Sequence, residues 1–83
     1  MLKRKFLSRK IISTFNKIFG LENYYDSNDI LLMRVGIELV LKKYKGKDIA
    51  KSIMHELDTN FFLYNYYSSK ELNEMQNVIW SIV

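Results

Sequence analysis

His55, Glu56 and Asp58 sit within a few positions of one another and are the first residues to test for chemistry. A zinc-protease helix presents His at i and i+4 with Glu between, and position 59 is Thr. One His and no Cys give no structural zinc set either. The absence of Cys also excludes disulfides, iron–sulfur ligation and a thiol nucleophile. Gly20, Gly36 and Gly46 are isolated, so no glycine-rich loop cradles a phosphate. Carboxylate pairs such as Asp26 with Asp29, and Glu71 with Glu74, fall at helix starts, where capping explains them. No Ser/His/Asp set is recognisable by spacing. A nuclease built from Lys, His and Glu has nothing to argue for it. The expectation is a protein that is not an enzyme and needs no cofactor or metal.

Charge is the stronger signal. The net charge of +4 is unevenly placed. Lys3, Arg4, Lys5, Arg9, Lys10 and Lys17 give residues 1–20 six basic side chains and no acid. The remainder, 21–83, is close to neutral. Three partners fit a basic amphipathic helix. Phosphates attract such a face regardless of base sequence. An acidic protein surface is steered to it and held in register. An anionic membrane accepts it with the apolar side inserted. Phe6 and Leu2 lie nearer the basic face than the apolar stripe, which favours contact with a partner over plain solvent.

The second signal is aromatic. Phe61, Phe62, Tyr64, Tyr66 and Tyr67 crowd one short stretch. Tyrosine is favoured at interfaces because it offers area at low entropy cost and a polar tip. A domain of 83 residues has much surface for its volume and little core for so many rings. Homo-oligomerisation is therefore expected. Tyr24 and Tyr25 are candidates for the same surface.

These residues need elements to hold them. Leu7, Ile11, Phe15 and Ile18, with Ile12 and Phe19 beside them, span about 140° of a helix over 3–19. Gly20 is placed to end it in the left-handed conformation. A second helix over about 29–45 carries Ile30, Met33, Ile37, Val40, Leu41 and Tyr44 on one face. Val35 and Leu39 widen that face, and Arg34 pairs with Glu38 outside. Asp29 or a neighbour caps its start, Lys42, Lys43 and Lys45 complement its end, and Gly46 stops it. It is the most apolar helix and is expected at the centre. The alternation Met33, Val35, Ile37, Leu39 also allows a short strand, but length and caps favour helix. A third helix starts at Asp48, with Ile49, Ala50, Ile53, Met54 and Leu57 as its stripe. Ser68 and Glu71 form a capping box for a last helix with Leu72, Met75, Ile79 and Ile82 on one face.

The expected fold is all-α: one domain over 1–83, a compact bundle of about four short helices, with an irregular or extended aromatic segment at 61–67. No internal repeat, linker or low-complexity tract is read. Residues 47–67 fit a helix-turn-helix poorly. Met54 stands where a small residue belongs, and the following segment lacks Arg, Lys or Gln to read bases.

The longest uncharged run, between Asp58 and Lys70, is too short and too polar to span a membrane. Arg9 and Lys10 interrupt the apolar region that a signal peptide requires. A cytoplasmic location follows as the expectation. Lys, Asn, Ile, Tyr and Phe make 37 of the 83 residues, and their codons are AT-rich. Size, coding bias and lack of chemistry together suggest a phage or mobile-element regulator or inhibitor. It would bind a larger protein or nucleoprotein complex with an acidic surface. Direct RNA or DNA binding and membrane-surface association are the alternatives.

Overall fold

Helix signals in the chain resolve into four α-helices in the computed structural model, which describes residues 2–43 and 48–83. They are α1 (Leu2–Phe19), α2 (Ser27–Lys43), α3 (Ile49–Phe61) and α4 (Ser69–Ile82). Single 3-10 turns, Leu21–Asn23 and Leu63–Asn65, follow α1 and α3. The expected end of the second helix at Lys45, Tyr44 on its face and Gly46 as its stop lie outside the described residues.

Local chemistry sets the ends. Asp26, rather than Asp29, caps α2: its carboxylate accepts from the Asp29 N–H at 2.8 Å. The α4 capping box forms in both directions, Glu71 N–H to Ser68 Oγ and Ser68 N–H to Glu71 Oε1. Gly20 leaves α1 at φ 62°, ψ 53°, in the left-handed region.

Each helix packs on two others. α1 contacts α2 and α4, and α3 contacts α2 and α4, closing a ring around one core. Ile11, Phe15, Leu21, Met33, Ile37, Ile53, Leu57, Leu63, Met75 and Ile79 are fully buried there. Cutting Phe15 or Leu57 to Ala would cost about 2–5 kcal/mol in transfer and cavity terms. The all-α bundle expected from sequence is the observed fold. No described residue is in a strand. The aromatic segment 61–67 is irregular, not extended: Phe61 ends α3, Phe62 is left-handed, and a 3-10 turn follows.

Three expectations for α2 fail. It is one of four equivalent staves, not the centre. Val35 and Leu39 do not widen its buried face but stand about half exposed, with Leu31 and Leu32. Arg34 does not sit outside with Glu38. It lines the groove between α1 and α2, with its Nε buried and unbonded.

The chain also holds an internal repeat, contrary to the sequence reading. Residues 42 positions apart play the same part, so α1, turn and α2 match α3, turn and α4. Phe19-x-Leu21-x-Asn23-Tyr24-Tyr25-x-Ser27 recurs as Phe61-x-Leu63-x-Asn65-Tyr66-Tyr67-x-Ser69. Ile11 and Ile53, Met33 and Met75, and Ile37 and Ile79 are identical and equally buried. Gly20 is matched by Phe62, which adopts φ 55°, ψ 50°. The Gly20 N–H to Asn16 C=O and Phe62 N–H to Asp58 C=O bonds are both 3.0 Å long.

The contacts between halves are reciprocal, as a pseudo-two-fold axis requires. Tyr24 stacks on its counterpart Tyr66, centroids 4.7 Å apart. Tyr24 meets Tyr67 edge-on at 5.4 Å, and Tyr25 meets Tyr66 edge-on at 5.3 Å. Tyr67 Oη donates to the Phe19 carbonyl at 2.9 Å, and Tyr25 Oη donates to the Phe61 carbonyl. Those carbonyls end α1 and α3 and have no partner within their own helix. Each half therefore caps the helix of the other.

Candidate functional site

The basic face is built on the outside of α1. Ile11, Ile12 and Phe15 turn inward, with Ser8 fully buried beside them. That orientation leaves Lys3, Lys5, Arg9, Lys10 and Lys17 exposed and Arg4 half-buried. At 1.5 Å per residue, α1 is about 27 Å long, and the molecule measures 29 × 25 × 21 Å. The basic face thus runs the length of the molecule. Phe6 is 63% exposed, with Lys10 Nζ 5.9 Å from its ring centre. Ile18, expected in the apolar stripe, is also exposed. Phe19 takes the inward place because the helix stops there, and its ring meets Phe15 and Tyr67 edge-on at 5.9 and 6.1 Å.

The repeat provides a comparison inside the same molecule. α3 packs as α1 does, with Lys51 in the place of Arg9 but Ser52 and Thr59 in the places of Lys10 and Lys17. The counterparts of Lys3 and Lys5 lie outside the described residues. Packing of this helix type therefore does not require cations at positions 10 and 17.

The aromatic candidates divide. Tyr67 is buried and Phe61 half-buried, both in the junction between halves. Phe62, Tyr64 and Tyr66 stay exposed, and Tyr24 joins them. Phe62 and Tyr64 contact edge-on at 6.1 Å. Much of the aromatic load thus finds its partners within the chain. Burial pushes the Tyr67 hydroxyl up to about 12, with Tyr24 and Glu71 adding to the rise. Burial likewise raises Tyr25, helped by Tyr66 and Tyr67. Both hydroxyls are held protonated, as hydrogen-bond donors must be.

His55 is exposed. The Glu56 carboxylate accepts from Asn60 at 2.6 Å. Burial raises the Asp58 carboxyl, and His55 pulls it down. No group of three or more metal-ligating side chains occurs among the described residues. No helix among them is long and apolar enough to cross a membrane.

Two matched grooves open between the helices of each half. One, of about 470 Å³, is lined by Arg9, Ile12, Asn16, Ser27, Leu31 and Arg34, among others. Asn16 and Glu22 close part of it with two 3.0 Å bonds. Its counterpart, about 240 Å³, is lined by Met54, Asp58, Ser69, Leu72, Asn73 and Gln76. The two grooves thus occupy matching places and differ in size and charge.

Sequence reasoning missed one surface, the exposed apolar side of α2 formed by Leu31, Leu32, Val35 and Leu39. Its signal was present as an apolar arc too wide for one buried face. Comparison with protein-family models, characterised proteins and solved structures returns no match.

Proposed function

We propose that this chain is a non-catalytic interaction protein that seats the outer face of α1 on an acidic surface of a larger protein or nucleoprotein complex. One observation carries the reading. α1 and α3 are structural equivalents, and among the described residues α1 bears exposed Lys10 and Lys17 where α3 has Ser52 and Thr59. Since the fold does not need that charge, a partner is the economical reason for it. Exposed Phe6 and Ile18 on the same helix favour a protein partner over bare phosphates, which offer apolar side chains nothing. The apolar stripe of α1 is consumed by the core, which supports this reading over insertion into a membrane. The exposed rings of Phe62, Tyr64 and Tyr66 supply a second contact. A regulator or inhibitor acting by occupancy, in the cytoplasm of an AT-rich host, fits the small size.

Affinity capture from the native host tests it, with proteins and nucleic acids recovered from the same sample. The wild-type chain should retain one major protein partner. A Lys3→Glu, Lys5→Glu, Lys10→Glu, Lys17→Glu variant should lose it while keeping its helicity. Retention of the same partner by that variant would refute the reading. Recovery of nucleic acid alone, lost steeply as salt rises, would replace it with direct nucleic-acid binding.

A further inference from the structure

The exposed side of α2 has a counterpart forty-two residues on, and the two differ in kind. Leu31, Leu32, Val35 and Leu39 are each 44–51% exposed. The same positions of α4 are Asn73, Glu74, Asn77 and Ser81, also exposed. The inner faces match, with Met33 and Ile37 answered by Met75 and Ile79, all fully buried. Folding thus accepts polar residues where α2 keeps an apolar stripe. The stripe also borders a groove of about 450 Å³ against α3, in which Gly36 leaves room for Glu56. A Cβ at Gly36 would lie 3.4 Å from Glu56 Oε2. Its counterpart in α4 is Val78.

We propose that this stripe is a self-association surface, on which a second copy of the chain docks through its own α2, antiparallel. The charge pattern selects a second copy. Asp29 lies in the first turn of α2, and Lys42 and Lys43 lie in the last. An antiparallel copy sets each acidic start beside the other's basic end, and opposes the two helix dipoles. In that register Leu32 faces the second copy's Leu39, and the two Val35 side chains meet near the two-fold axis. A parallel arrangement would set like charges together at both ends. The proposal is independent of the reading of α1.

The intact chain tests it, by sedimentation equilibrium or light scattering. The mass should rise with concentration from 10.0 kDa to twice that value. Leu32→Glu, Val35→Asn and Leu39→Ser together install residues the other half already carries. That variant should stay monomeric with unchanged helicity. Asp29→Lys alone should weaken the dimer about tenfold, and adding Lys42→Asp and Lys43→Asp should restore it. These charge variants decide the matter if the triple variant fails to fold. The chain has no cysteine, so Val35→Cys should form a disulfide-linked dimer on oxidation where Asn77→Cys does not. A wild-type chain that stays monomeric up to about 1 mM overturns the proposal. So does a triple variant that still dimerises, or a monomeric chain that uses the stripe to bind a different protein.

Discussion

Changing Tyr67 to Phe removes one hydroxyl and keeps the ring that touches Phe19 and Tyr24. The carbonyl of Phe19, at the end of α1, then loses the donor that lies 2.9 Å away. A buried hydrogen bond is worth about 1 kcal/mol net, and an abandoned buried acceptor costs about 1–3. A loss of about 1–2 kcal/mol is therefore expected, or about 4–16 °C in melting midpoint for a domain of this size. Tyr25→Phe should cost the same, because its hydroxyl plays the matching part on Phe61. The two tyrosines share one ring cluster, so the double variant should depart from additivity by about 0.5 kcal/mol or more. Tyr64→Phe serves as the control, since that side chain is exposed and should change little. Urea and thermal melts followed by circular dichroism measure all four. If either buried tyrosine can be changed without effect, or if one costs several times the other, reciprocal capping is not what joins the halves.

Other expectations follow from the same geometry. Gly20 sits at φ +62°, and an added Cβ would come 2.5 Å from Asn23 Nδ2, so Gly20→Ala should cost about 1–2 kcal/mol. Its counterpart Phe62 holds φ 55° without being glycine, so Phe62→Gly should raise stability by about 1 kcal/mol, as urea melts would show. Burial holds Tyr67 and Tyr25 above their ordinary range, so their contribution is complete below about pH 10 and lost as pH rises through the folded values. Melting midpoints should fall with alkalinity, less steeply in the Tyr25→Phe, Tyr67→Phe double variant. Burial also raises Asp58, whose Oδ1 is buried without a partner. Its ionisation above the carboxylate range therefore costs stability. Asp58→Asn should raise the midpoint near neutral pH, and the gain should vanish below about pH 3.5.

Much of this fold was legible in short patterns. The Ser68–Glu71 box, Gly20 as a stop and the apolar spacing of α1, α3 and α4 each encode a local event. The repeat was harder to see, because several core positions of α1 and α3 differ in identity. Phe15 answers to Leu57, Ile12 to Met54 and Ser8 to Ala50. Gly20 answers to Phe62, which removes the one residue that would advertise the same turn. Burial of Tyr25 and Tyr67 depended on a partner half that spacing along one helix does not describe. For α2, an apolar arc says which residues avoid water in isolation, not which of them the neighbouring helices cover. The exposed cations of α1 were legible as one face, because their side of the helix follows directly from the stripe opposite.

The two-fold symmetry inside and the asymmetry outside together set the valency of the molecule. Two identical hairpins would display every surface twice, on opposite sides, and could bridge two targets. Here, among the described residues, Lys10, Lys17 and the leucine stripe occur once, answered by Ser52, Thr59 and polar side chains, while the core beneath keeps both halves alike. On the proposed reading of α1, a single chain would occupy one target without crosslinking it to a second. On the proposed pairing of α2, concentration would then govern whether two targets are bridged.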